Sequence, residues 1–144
     1  MKNKIIVNAV MVFVFDSLNN VLLLKRLDNE KWEAVKGGIE DGENYIDAAR
    51  RELKEETGIE TIDNVVLHKI VKDEMDKPNG DVLEINGHVT FCHINETSPK
   101  ITLGIGKDLE HSEYKWLSVK EIENEDLHPN IANKIIKEIV KFKK

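Results

Sequence analysis

Residues 43–57 run without a glycine or proline, and Gly37, Gly38, Gly42 and Gly58 punctuate the chain on either side. Ala48, Ala49, Arg50, Arg51, Leu53, Lys54, Glu55 and Glu56 are mostly strong helix formers, so the run predicts an α-helix. Gly58 stands where a helix stops. Glu43 and Asp47 bring negative charge to the N-terminal end, where the helix dipole favours it. At about 100° per residue, Ile46, Ala49 and Leu53 share an apolar stripe. Glu52, Glu55 and Glu56, at i, i+3 and i+4, share the neighbouring face.

Three carboxylates on one face repel one another and weaken an isolated helix. Two readings follow: a solvated acidic face, or a site for a hard cation. Mg²⁺ takes oxygen ligands and keeps waters and substrate phosphates in its shell, which turns the repulsion into coordination.

The wider pattern favours the second reading. Gly37, Glu43, Arg51, Glu52, Leu53, Glu55, Glu56, Gly58 and Ile59 stand in one register, and the segment resembles the Nudix box of the Nudix hydrolase family. Every defining position is present. One flanking position differs: many members have proline before the first glycine, where this chain has Lys36.

The rest of the chain reads as strands around this helix. Residues 5–15 and 21–24 are strand-like, with Asn19-Asn20 as a turn, and a hairpin is their simplest arrangement. A charged loop follows at residues 27–31. Residues 65–71 and 82–94 predict further strands, the first followed by a turn at Lys77-Pro78-Asn79-Gly80. Asn86-Gly87 suggests a bulge or tight turn inside the second. Residues 114–117 predict a short strand, and Ser118 with Glu121 has capping-box spacing. A last amphipathic helix is predicted from Ile131, Ala132, Ile135, Ile136, Ile139 and Val140. This order predicts a layered α/β fold in a single domain, residues 1–144. The resemblance implies more: a mixed β-sheet sandwiched between helices.

With 144 residues and 40% hydrophobic content the chain can bury a core. A net charge of -6 argues against binding polymeric nucleic acid, which needs a basic footprint. The apolar run at residues 5–15 is too short to span a bilayer, contains Asn8 and lacks a following small-residue cleavage site. A cytoplasmic protein without membrane contacts is the expectation, either monomer or homodimer. Cys92, the only cysteine, excludes an internal disulfide and reads as a core thiol.

The resemblance implies hydrolysis of a pyrophosphate bond in a nucleoside diphosphate-linked substrate, with Mg²⁺ or Mn²⁺. Glu52, Glu55 and Glu56 are the expected metal ligands, joined by the carbonyl of Gly37 and by Glu110. Glu55, Arg51 and Glu52 form the expected catalytic set. Glu55 is the leading general base, with Glu110 and Glu113 behind it, and Arg51 holds a neighbouring carboxylate in place. Lys25, Arg26, Lys36, Gly38 and Tyr114 are the candidates to contact substrate, with Trp32 a further aromatic. His68, His88, His93 and His128 lack the spacing of a metal pair. The segment from Glu110 to Leu117 resembles members that cleave dihydroneopterin triphosphate or dATP, and those that cleave dinucleoside polyphosphates. A nucleotide-like triphosphate is the expected substrate. The alternatives are a dinucleoside polyphosphate, or a nucleotide-binding sensor without turnover.

Overall fold

The computed structural model describes residues 3–104 and 109–122. Seven strands and two helices follow in the order β1 (Lys4–Phe15), β2 (Val21–Arg26), β3 (Trp32–Glu33), β4 (Val35–Gly38), α1 (Tyr45–Thr57), β5 (Val66–Asp76), β6 (Val82–His93), β7 (His111–Leu117) and α2 (Val119–Ile122). They build a mixed β-sheet flanked by helices. The path β3-β2-β1-β6-β5 carries β4 against β1 and β7 against β2. The predicted last helix and His128 lie outside the described residues.

β1 is the axis because alternate residues bury opposite faces. Phe13 and Phe15 join Val21, Leu23, Trp32, Phe91 and Ile122 in one core, on the side of α2. Val10, Val12 and Val14 join Leu22, Leu24, Ala48, Ala49, Leu53 and Cys92 in the other, under α1. Each fully buried aliphatic side chain contributes about 1.5–3 kcal/mol. In the first core Phe91 meets the edges of Phe13 and Phe15 at centroid distances of 5.9 and 5.6 Å. No helix among the described residues is long and apolar enough to cross a membrane.

The expected hairpin forms but is short, and one other local expectation needs correction. β1 and β2 are antiparallel but pair only at Phe15↔Val21. The turn between them is tied down by the buried Asp16, whose carboxylate accepts the N–H groups of Leu18, Asn20 and Ser98. Beyond it the strands part, and β4 takes the edge of β1 from Ala9↔Gly38 to Val12↔Val35. The first half of the glycine-rich segment is therefore sheet. Asn86-Gly87 makes no turn or bulge. β6 pairs in parallel with β1 straight through Asn8↔Asn86 and Ala9↔Gly87, and with β5 on its other edge, which leaves no room for a reversal. The irregularity falls on β5 instead, between Leu67 and Lys69. β5 also runs five residues past the expected end at residue 71, and β7 begins at His111, earlier than expected.

Candidate functional site

The loop before α1 and the helix are locked together by one arginine. Asn44 caps α1, its Oδ1 accepting the N–H of Asp47 at 2.8 Å, so Glu43 stands just outside the helix. Gly58 closes the other end at φ 79°, donating its N–H to the Lys54 carbonyl. Arg51 projects back toward the loop. Its Nε and Nη2 donate to the two oxygens of Glu43 at 2.8 and 2.9 Å, and Nη2 also reaches the Gly38 carbonyl at 2.8 Å. The side-chain bond from Arg51 holds the Glu43 carboxyl down to about 2. Nη1 donates to Glu52 at 2.9 Å and, more weakly, to Glu55 at 3.4 Å.

The three helix carboxylates differ in environment. Glu55 is exposed. The Glu52 side chain is 13% exposed, and burial raises its pKa although Arg51 opposes the shift. Glu56 is buried beside the apolar stripe, and neither carboxylate oxygen has a hydrogen-bond partner. Burial, then the nearby Glu52, and then Glu110 and Glu33 push its pKa well above the usual carboxylate range. A buried, unpaired carboxylate costs several kcal/mol if it stays ionised, so this one is either protonated or faced by a cation.

β7 brings the next groups. Its register with β2 slips between Lys25↔Glu113 and Arg26↔His111, so His111 stands where Ser112 would otherwise oppose Arg26. The Leu27 N–H donates to the Glu110 carbonyl at 3.0 Å and clamps this corner to the end of β2. Ligand atoms of Glu56, Glu110 and His111 lie within 4.8 Å of one another. Buried His111 sets Nδ1 3.5 Å from Glu56 Oε1 and Nε2 2.8 Å from Oε2 of the equally buried Glu33. Burial raises the Glu33 pKa, but the His111 hydrogen bond and the Lys36 and Arg26 charges prevail, leaving it below the ordinary value. The donor set of carboxylates and one imidazole, with unpartnered oxygens facing it, fits a divalent cation such as Mg²⁺ or Mn²⁺.

A cleft of about 620 Å³ reaches this cluster at Glu110. Val7, Ala9, Met11, Ile85 and Gly87 form its apolar floor, and Arg26, Lys36, Glu33, Gly37, Gly38 and Glu110 line its polar end. Gly37 backs directly onto Glu52: a Cβ there would overlap the carboxylate. Arg26, Lys36 and Gly38 therefore stand along the cleft. Lys25 and Tyr114 stand apart from its lining. Lys25 pairs with Glu113 at 3.2 Å, and Tyr114 packs against the core under α1. Trp32 is core, with the Lys115 ammonium 4.4 Å from its ring centroid. His88 stacks on Tyr45, His93 on Phe15 and His68 on Phe91. Burial pushes the Cys92 thiol up to about 12.

Glu33 and His111 escaped the sequence reading. The one available signal was a carboxylate between Trp32 and Ala34-Val35, which are apolar, but its partners are set only by the sheet.

A family profile described as NUDIX domain matches residues 6–139. An RNA pyrophosphohydrolase of Pelagibacter ubique is 43% identical over 58 residues, 39% of this chain and 37% of that protein. One from Bartonella clarridgeiae is 34% identical over 108 residues, 63% of this chain and 58% of that protein. The matches thus span less than two thirds of these relatives' lengths. The Escherichia coli dihydroneopterin triphosphate pyrophosphohydrolase structure superposes with a TM-score of 0.75 at 21% identity, covering 93% of this chain and 95% of that one. At that identity the likeness speaks for the fold.

Proposed function

Because the chain belongs to the NUDIX family, we propose that it hydrolyses a pyrophosphate bond in a nucleotide-like triphosphate, releasing a monophosphate and pyrophosphate with Mg²⁺ or Mn²⁺. The observation that carries this reading is the buried, unpartnered Glu56 carboxylate, grouped with His111 and with Glu110, which stands at the polar end of a cleft. Glu52, Glu56, Glu110 and His111 would hold the metal, with Glu55 and the Gly37 carbonyl at its edge. When bound, the metal supplies charge neutralisation for the polyphosphate and a more acidic water.

The chain's own groups account for the rest. Arg26 and Lys36, at the cleft's polar end, offset phosphate charge, and the apolar floor takes the ring system. Exposed Glu55 accepts the proton of the attacking water. The new P–O bond forms at the α-phosphorus as the bridging P–O bond breaks, and the departing pyrophosphate takes the electron pair. Arg51 keeps Glu43, Glu52 and the Gly38 carbonyl in register.

The names of the relatives favour a second reading, in which the triphosphate is the 5′ end of an RNA. The net charge of -6 counts against a long RNA contact. Release of pyrophosphate, phosphate and mononucleotide from nucleoside triphosphates, dihydroneopterin triphosphate, dinucleoside polyphosphates and 5′-triphosphorylated RNA, each with Mg²⁺, Mn²⁺ or excess chelator, separates these readings. A free triphosphate is the expected best substrate, with no turnover in chelator. Full activity in chelator sinks the metal reading, and nucleotide binding without turnover makes the protein a sensor. As the base, Glu55 should cost roughly 10²–10⁴-fold in kcat when changed to Gln.

A further inference from the structure

Glu33 lies outside the metal-facing cluster, yet three cationic or donor groups of the site converge on it. Its side chain is almost fully buried. Oε1 accepts from Arg26 Nη1 at 3.1 Å and faces Lys36 Nζ at 3.2 Å. Oε2 takes His111 Nε2 at 2.8 Å. Arg26 and Lys36 line the cleft, and His111 belongs to the cluster with Glu56 and Glu110. One carboxylate therefore touches both halves of the site, the phosphate side and the metal side.

We propose that Glu33 is a positioning residue for the reaction: it fixes His111 with Nδ1 turned toward Glu56 and holds Arg26 and Lys36 at the cleft wall. This rests on the hydrolase reading above. An ionised carboxylate only accepts, so the ring nitrogen facing it, Nε2, carries a proton. In the neutral imidazole the Nδ1 lone pair then faces the cluster. A histidine ligand is commonly oriented through its second nitrogen in this way. Lys36 is kept from folding onto the metal-facing carboxylates by this contact, and Arg26 by it together with exposed Asp28, which accepts from Nε and Nη2.

Glutamine is the informative replacement, because it has nearly the same shape but one acceptor and one donor. If its amide NH₂ faces Nε2, the imidazole must carry its proton on Nδ1, pointed at the cluster. If its oxygen faces His111, the NH₂ turns toward Arg26 and Lys36, which only donate. Either way one half of the site loses its anchor.

Nitrogen-15 NMR of histidine-labelled, metal-free protein should show His111 as the Nε2-protonated form. The Nδ1-protonated form would overturn the proposal, and this measurement needs no variant that has to fold. Glu33→Gln should either weaken Mn²⁺ binding by about 10–100-fold, as loss of an orienting partner does, or raise the KM for the best substrate, according to which way its amide turns. The double variant Glu33→Gln/His111→Gln should bind Mn²⁺ no more weakly than His111→Gln alone. Additive losses would overturn the path through His111, and a lower melting temperature with unchanged Mn²⁺ affinity and KM would make Glu33 a scaffold residue. Wild-type protein that binds no Mn²⁺ would overturn the hydrolase reading instead, and the tautomer and KM then decide the role of Glu33.

Discussion

A side chain at Gly37 has one direction to take, and the Glu52 carboxylate already occupies it. The obstacle is the far end of a side chain rather than backbone, so a methyl group there would swing Glu52 aside and break its bond to Arg51 while leaving β4 in place. Gly37→Ala should therefore cost the metal-free protein about 1–2 kcal/mol, the worth of the lost Arg51 bond, while weakening Mn²⁺ binding by about tenfold or more. Thermal melts and calorimetric titration separate the two effects. A large fall in melting temperature with unchanged affinity would mean that Gly37 serves the sheet. Glu56 makes the complementary case, since its burial opposes its own ionisation. Glu56→Gln should leave the metal-free protein at least as stable as the parent near neutral pH and abolish its stabilisation by Mg²⁺, read from melts with and without the ion.

At the scale of the element, α1 is both the best-read part of the chain and the best place to separate scaffold from chemistry. Asn44→Ala removes the side-chain cap on the Asp47 N–H and should cost about 1 kcal/mol, with Mn²⁺ affinity unchanged. Denaturant unfolding and metal titration of the same variant check both halves. The helix was legible because its specification is local: residue type, apolar period and a glycine at the C-cap. Its start was read two residues early, since Glu43 looked like an N-terminal charge, while the structure gives it to Arg51. β4 was not legible. Its pairing with residues 9–12 of β1 is a long-range contact, and Gly37 and Gly38 have little strand propensity of their own. Glu33 and His111 were hidden for the same reason. They lie 78 residues apart in sequence and meet only because β3 and β7 flank the same strand, β2. Sequence spacing exposed the carboxylates of one helix but not the groups that the sheet gathers around them.

For the whole molecule, the buried carboxyls set how stability follows pH. Glu56 and Glu52 have pKa values raised above the unfolded value near 4.5, so the folded state binds more protons than the unfolded chain above that pH. Their contribution is complete below pH 4.5 and is lost as pH rises through the folded values. Asp16 and Glu33 run the other way: their depressed pKa values give stability that is lost as pH falls through the folded values. Metal-free protein should therefore melt at falling temperatures as pH rises above neutral, and Glu56→Gln should flatten that slope in a pH series of calorimetric scans. A wild-type slope matching that of Glu56→Gln would show that Glu56 is already ionised in the fold. The long parallel ladder has another consequence, for how such a chain comes to be folded. From Lys4↔Val82 to Phe15↔His93, every residue of β1 pairs with one made 78 positions later. At about 5–20 residues per second, translation leaves the most apolar strand without that neighbour for several seconds. Contacts so distant along the chain also make closure slow. A nascent chain that pauses between the two strands cannot complete its sheet, and the risk of aggregation is greatest during that wait.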